Sequence, residues 1–173
     1  MVVISGIGVV RGVVLGTLRT LARDPSLVNL PDHNGQTPLI VAVMHANEAN
    51  RGMVVWLIDQ GADVNAAERN GYSALYWAAF DGDLEAVAAL LAHGAAVDLP
   101  DAYGRTPLHR AAALESLELT ALLLAHGADP KRLDLQGHTP AYYASDRGVG
   151  ARIRVLLSAT PAPGTPESVL GTR

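Results

Sequence analysis

The chain has 173 residues, of which 49% are apolar and 17% are charged, and its formal net charge is -4. This length favours one domain, and the absence of cysteine excludes disulfide bonds, a thiol nucleophile and metal sites built from thiolates. The mild acidity argues against nucleic-acid binding, because phosphate recognition needs a basic excess on some face.

The first ten residues, MVVISGIGVV, are apolar but match neither an export signal nor a membrane span. A secretory signal carries its basic residues before the apolar stretch, whereas Arg11 follows it here. A membrane helix needs about 20 largely apolar residues, and Arg11 and Arg19 interrupt this run too early. We therefore expect a cytoplasmic protein that does not contact a membrane.

Three glycines in this segment, Gly6, Gly8 and Gly12, imitate the phosphate-binding turn of a dinucleotide-binding fold. That fold also needs a helix, a second strand and an acidic residue about 20 positions further on. The segment that follows is instead predicted to be a repeat helix followed by turns, without the second strand of that fold, so we expect no cofactor, and nucleotide-cofactor binding is the least favoured alternative. A second alternative is a self-assembling structural protein that associates weakly through this apolar N-terminal segment.

Residues 1–31 are predicted to form a degenerate N-terminal capping repeat. Val28 and Asn29 stand 36 residues before Val64 and Asn65, so this stretch aligns with the end of a later unit. The alignment predicts a helix from Gly16 to Arg23.

Two sequence markers recur along the rest of the chain with one period. The first is a segment of the form D/E-x-x-G-x-S/T-P/A, whose glycines are 36, 33 and 33 residues apart: Gly35, Gly71, Gly104 and Gly137. The second is a Gly-Ala turn whose glycines are 33 residues apart: Gly61, Gly94 and Gly127. The first unit is three residues longer, and the extra residues fall around Asn47 to Asn50, at a helix–helix turn where insertions are tolerated.

Each unit is predicted to contain two short antiparallel helices. In the third unit, Thr106 is placed to cap the first helix and Pro107 occupies its first position, where a missing N–H costs nothing. Gly127 is placed to end the second helix. Leu91 and Leu124, one period apart, are predicted to be equivalent buried residues. One pair of short helices cannot bury its apolar face, so the units must stack.

The sequences Gly-x-Thr-Pro-Leu-His at Gly104 to His109 and Gly-Ala-Asp-Val-Asn at Gly61 to Asn65 resemble the ankyrin-repeat family. The resemblance implies an all-α solenoid of stacked helix–turn–helix units with short hairpin-like turns. It spans four repeats at residues 32–159, followed by a flexible tail at residues 160–173. The second unit departs from the pattern with Ser73 and Ala74, although a serine can still cap a helix. The resemblance also implies a scaffold that binds a protein partner, with regulation of that partner as one outcome.

The sequence predicts neither a metal site nor an enzyme. His93 and His126 occupy equivalent positions, and equivalent helices of adjacent repeats lie about 8–10 Å apart, too far to share one ion without further ligands. They are better placed to interact with the dipole at a helix C-terminus. No catalytic motif occurs, and Asp83 and Glu85 are explained by the start of a second helix.

Aromatic residues concentrate on one side of the predicted repeats. Seven of the eight aromatic residues lie in a turn or a first helix, and the resemblance implies that these elements line the concave, partner-binding side. The predicted partner-binding residues are Arg69, Tyr72, Trp77, Phe80, Tyr103, Arg105, Arg110, His138 and Tyr143. For Trp77 and Tyr143 the alternative is filling gaps between stacked first helices. Tyr72 and Tyr103, in turns with little core to enter, are predicted to be exposed.

Overall fold

The computed structural model describes residues 24–46 and 52–163. The predicted helix at Gly16 to Arg23, the N-terminal glycines, the insertion around Asn47 to Asn50 and most of the C-terminal tail lie outside the described residues. Over the described ranges, the chain forms a 3-10 helix at Pro25–Asn29 and eight α-helices. The helices are α1 (Pro38–Met44), α2 (Gly52–Asp59), α3 (Ala74–Asp81), α4 (Leu84–Ala92), α5 (Pro107–Ala113), α6 (Leu117–Ala125), α7 (Pro140–Tyr143) and α8 (Gly148–Ala159).

These helices form consecutive antiparallel pairs, so odd-numbered helices are the first helices of the repeats and even-numbered helices are the second. Within the described ranges no β-strand forms, and the one isolated bridge joins Ala67 to Ser73. The predicted all-α solenoid is confirmed. None of the described helices is long and apolar enough to cross a membrane.

Short polar side chains cap α1, α3, α4 and α6, whereas the Thr106 hydroxyl makes no such bond at α5 and contacts the His109 ring instead. The Ser73 hydroxyl accepts a hydrogen bond from the Tyr76 amide at 3.1 Å, so the serine that replaces threonine in the second repeat does cap α3. Asp83 starts α4 in the same way by accepting from the amides of Glu85 and Ala86. These caps satisfy amides that have no partner inside the helix.

The helix layers are not equally close. The first helices pack extensively on one another through alanines, and Ala78, Ala79, Ala111 and Ala112 are all fully buried. The second helices make fewer contacts with their neighbours. Because the closer layer lies on the inside of a curved stack, the solenoid curves toward its first helices. The turns and first helices therefore form the inner side of the stack.

The turns between repeats are joined by a ladder of backbone hydrogen bonds. The amides of Arg69, Ala102 and Leu135 donate to carbonyl oxygens in the preceding turn, at distances of 3.1, 2.8 and 2.9 Å. A carboxylate stabilises each turn from inside by accepting backbone N–H groups of its own turn. These carboxylates belong to Asp32, Glu68, Asp101 and Asp134.

A second set of bonds joins the loops that follow the second helices. The Asn65 side chain accepts from the Ala96 amide at 2.7 Å and donates to the Gly94 carbonyl at 3.4 Å. Asn29 does the same one unit earlier, since it accepts from the Asp63 amide at 2.7 Å and donates to the Gly61 carbonyl at 3.0 Å. Residues 24–31 thus contact the first complete repeat as one repeat contacts the next. The assignment of residues 1–31 as a capping repeat remains a prediction.

The core runs through all repeats, and Leu91 and Leu124 occupy equivalent positions before the Gly94 and Gly127 turns, but the prediction that Leu124 is buried is wrong. Leu91 is buried with 8% of its side chain exposed, whereas Leu124 is only partly buried. The fully buried leucines at these helix ends are Leu90 and Leu123. Each second helix is therefore rotated so that the preceding leucine points most directly into the core.

Candidate protein-binding surface

Six of the nine predicted partner-binding residues lie together on the inner side of the stack. They come from α3, from α5 and from the turns that precede these two helices, so the cluster bridges the second and third repeats. We call it the aromatic–arginine patch, and it consists of Tyr72, Trp77, Phe80, Tyr103, Arg105 and Arg110.

Tyr72 anchors one end of the patch. Its ring stacks on Tyr76 with centroids 4.8 Å apart and meets the edge of Trp77 at 5.3 Å. Tyr72 is consequently half-buried, and the prediction that it is exposed is wrong. Tyr76 lies beneath it in the core, where burial, followed by the charge of Asp101, raises the pKa of the Tyr76 hydroxyl.

Phe80 connects the two repeats. Its ring lies 5.5 Å from the Trp77 ring, and the Arg110 guanidinium of the next repeat stacks 3.8 Å from its centroid. Phe80 is nevertheless 40% exposed. The Nε1 of Trp77 and the Nε of Arg110 are buried and have no hydrogen-bond partner within the described part of the chain. Trp77 and Arg110, which come from successive first helices, thus hold the Phe80 ring at the surface.

Tyr103 and Arg105 form the turn end of the patch. Arg105 forms an ion pair with the buried Asp101 carboxylate, and its Nε and Nη2 atoms lie 2.9 and 2.8 Å from the same oxygen. The guanidinium also lies 4.7 Å from the Tyr103 ring centroid, and Tyr103 remains 52% exposed as predicted. Arg105 therefore stabilises its own turn and supports Tyr103, because removing it would leave a buried carboxylate without its counter-charge.

Arg69 is exposed at the preceding turn tip. Its backbone N–H belongs to the ladder of turns, and its Cγ atom lies beside Gly35. No carboxylate pairs with its guanidinium among residues 24–46 and 52–163. The charge of Arg69 is therefore presented to solvent beside the patch.

His138 and Tyr143 belong to a second cluster in the last repeat. Tyr143 donates a hydrogen bond from its hydroxyl to Asp134 at 2.5 Å, and burial together with this bond raises the pKa of Tyr143 to about 12. Burial alone would raise the pKa of Asp134, but the bonds from Tyr143 and from backbone amides outweigh it and lower that pKa. Tyr143 is therefore half-buried and structural.

Tyr142 is an exposed aromatic residue that the sequence analysis does not select. It stacks on His138 with ring centroids 3.7 Å apart and is 60% exposed. The equivalent residues of the three preceding repeats, Ile40, Tyr76 and His109, are all buried by the repeat that follows. The exposure of Tyr142 could have been predicted from the alignment of the repeats, because a core position in the last unit has no described repeat to cover it.

His109 joins the third repeat to the fourth, and its geometry fixes its protonation state. Its Nδ1 atom lies 3.0 Å from the Thr106 amide nitrogen, which can only donate, so Nδ1 accepts. The remaining ring proton is therefore on Nε2, which donates to the His138 carbonyl at 3.2 Å. Burial lowers the pKa of His109 from its usual 6.5, in keeping with this neutral form.

The pKa of His109 predicts a loss of stability in mild acid. An unfolded chain protonates this histidine near pH 6.5, whereas the folded chain resists protonation, so the unfolded state binds more protons as the pH falls. The stabilisation is complete above the usual pKa and is lost on acidification from about pH 7 toward pH 5. Urea unfolding across this range should show a flatter pH dependence for His109→Gln than for wild type. The exposed His126→Gln should keep the wild-type slope, and an unchanged slope in His109→Gln would contradict this assignment.

His93 and His126 lie at helix ends, as predicted. The Nδ1 atoms of His93 and His126 donate to the carbonyls of Ala89 and Leu122 at 2.7 and 2.9 Å, each in the last turn of its own helix. Among the described residues, no group of histidine and carboxylate side chains could hold a metal ion.

Comparison with known proteins points to one family. A family model described as ankyrin repeats in three copies matches residues 44–134 and 96–165. Neurogenic locus notch homolog protein 2 of Homo sapiens is 49% identical over 59 residues, and neurogenic locus notch homolog protein 1 of Xenopus tropicalis is 50% identical over 58 residues. These alignments cover 34% of this chain but only 2% of either relative, so the similarity is to a short stretch of repeats within much longer proteins.

Proposed function

This chain belongs to the ankyrin-repeat family, whose repeats are protein–protein interaction modules, and from that premise we propose that it binds a protein partner through the aromatic–arginine patch. The role proposed is that of a cytoplasmic scaffold without chemistry of its own, which regulates the partner by occupying part of its surface. The turn tips and first helices supply the contact surface. Arg69 lies at its edge, and His138 and Tyr142 extend it toward the last repeat.

The observation that carries this proposal is the exposure of two aromatic rings that are already held in place. Phe80 is fixed by Trp77 and Arg110, and Tyr103 is fixed by Arg105, yet both rings remain exposed. A rigid aromatic side chain buries much area on binding and loses little conformational freedom. Aromatic residues and arginine also dominate the energetically important positions of protein interfaces. The patch combines these features on the inner side of the stack.

The proposal predicts a selective loss of binding in a double variant, Phe80→Ala with Tyr103→Ala. A partner captured from cells with the wild-type chain should bind this variant at least about 2 kcal/mol more weakly, which is a roughly 30-fold rise in Kd. The melting temperature should change little compared with a core substitution, because neither side chain belongs to the buried core. Calorimetric titration with the purified partner measures the Kd.

The matched control removes exposed apolar side chains from the second helices, in Val55→Ala with Val155→Ala. These residues are also exposed, but they lie on α2 and α8. The control should bind as wild type does. If the control loses affinity and the patch variant does not, the partner binds the second-helix side and the proposal is wrong.

A further inference from the structure

We propose that the segment bound at the aromatic–arginine patch is an acidic peptide of the partner, in which carboxylates flank apolar side chains. This inference rests on the proposed function and adds the chemistry of the partner. It follows from the way in which the repeats distribute charge between their two sides, although the chain as a whole is acidic.

The carboxylates of the turns are directed inward. Glu68, Asp101 and Asp134 are buried, and Asp32 is largely so. Each accepts backbone N–H groups of its own turn. Asp101 additionally holds Arg105, and Asp134 holds the Tyr143 hydroxyl. These four anions are therefore used to build the turns and are not presented to a ligand on the inner side.

The guanidinium groups of Arg69 and Arg110, unlike that of Arg105, do not pair with a turn carboxylate. Arg69 has no carboxylate partner in the described ranges, and Arg110 stacks on Phe80 by its face. A guanidinium stacked on a ring keeps the N–H groups of its plane free to donate, and two parallel N–H groups match one carboxylate. Asp81, at the end of α3, is the carboxylate whose charge acts on Arg110, and it forms no ion pair with it. Arg69 and Arg110 thus leave an excess of positive charge beside the exposed rings.

The second-helix side has the opposite character over the first three repeats. Asp59 ends α2 and Glu118 lies in the first turn of α6, and both are exposed. Among the described residues, the exposed cations of that side, Lys131 and Arg152 among them, come only after α6. An acidic segment is therefore attracted to the patch and repelled by the opposite side of the same repeats.

The apolar part of the ligand is indicated by Phe80 and Tyr103. The two rings come from adjacent repeats, and both remain exposed. An acidic segment with one or two aliphatic or aromatic residues would bury these rings and place its carboxylates near Arg69 and Arg110. A purely acidic segment would leave the rings exposed, and a basic one would be repelled by Arg69 and Arg110.

The test selects short random peptides displayed on phage against the full chain, followed by fluorescence anisotropy with the best synthetic peptide. We expect the selected peptides to be enriched in Asp and Glu beside apolar residues. The double variant Arg69→Gln, Arg110→Gln should weaken binding by about tenfold or more, and raising the salt from low concentration to about 0.15 M should weaken wild-type binding as well. The control Lys131→Gln, Arg152→Gln removes the same charge elsewhere and should leave the affinity unchanged.

Two outcomes would overturn the acidic-ligand inference. One is selection of neutral or basic peptides that still lose affinity in Phe80→Ala, Tyr103→Ala, because the patch would then bind a ligand of another chemistry and the proposed function would stand. The other is equal weakening by both pairs of charge substitutions, which would indicate non-specific attraction. If selected peptides are indifferent to Phe80→Ala, Tyr103→Ala, the proposed function itself fails.

Discussion

The substitution Leu90→Ala is expected to lower the free energy of unfolding by about 2–5 kcal/mol, because it removes fully buried methyl groups and leaves a cavity. Leu90 lies in α4 with none of its side chain exposed and belongs to the core that runs through the stacked repeats. A loss of this size is large beside the total stability of a typical domain. Urea unfolding followed by circular dichroism measures it.

Leu84→Ala is the control for this prediction, since it makes the same chemical change in the same helix. Leu84 is exposed at the start of α4, so little apolar area is lost and little cavity is created. Its destabilisation should be well below that of Leu90→Ala. Equal effects of the two substitutions would show that the stack does not bury α4 as described.

The second large effect is expected for Gly104→Ala. Gly104 has a φ of +78°, and a Cβ atom there would lie 2.9 Å from the Leu135 nitrogen of the next turn. The substitution therefore pays about 1–2 kcal/mol for the left-handed backbone. It also pushes apart two turns joined by the hydrogen bond from the Leu135 amide to the Tyr103 carbonyl, which adds about 1 kcal/mol.

Gly137→Ala separates these two contributions. Gly137 has a φ of +80°, but no atom of the described residues would lie within 4 Å of a Cβ atom there. This variant should lose only the backbone contribution and unfold at a higher urea concentration than Gly104→Ala. Equal destabilisation would mean that close approach of successive turns does not contribute to stability.

The repeat architecture could be predicted from the sequence because it depends on local rules that recur with a fixed period. A polar residue before each first helix and a glycine in each turn can be recognised directly in the sequence. The Ser73 cap shows that serine can replace threonine at the start of a first helix. The position of Asn29 relative to Asn65 is legible in the same way, and the two side chains make the same contacts.

The surroundings of individual side chains could not be predicted, because they depend on contacts between repeats. Tyr72 lies in a turn, but Tyr76 and Trp77 fold back under it, so it is half-buried. Arg105 was predicted to bind a partner because of its residue type and its place in the turn, whereas its guanidinium group pairs with Asp101. Leu124 is more exposed than Leu91. This difference could not be predicted, because a helical period alone does not fix how far each second helix is rotated.

The location of the candidate site could be predicted from the sequence, but the role of each residue in it could not. The bias of aromatic residues toward turns and first helices predicted that the partner binds the inner side of the stack. Six of the nine predicted residues form the aromatic–arginine patch on that side. Which of them contact a partner remains a prediction. Phe80 and Tyr103 combine exposure with fixed rings, whereas Arg105 and Tyr143 are used within the fold.

The most direct measurement of partner contact is site-specific photo-crosslinking in cells, with a benzoylphenylalanine placed at position 80, 103 or 155. The rings at positions 80 and 103 lie on the inner side, and Val155 is an exposed residue of α8. If the aromatic–arginine patch is the binding surface, positions 80 and 103 should crosslink to the same protein and position 155 should not. A discrete crosslink from position 155, with none from positions 80 and 103, would contradict the assignment of the binding surface to the first-helix side.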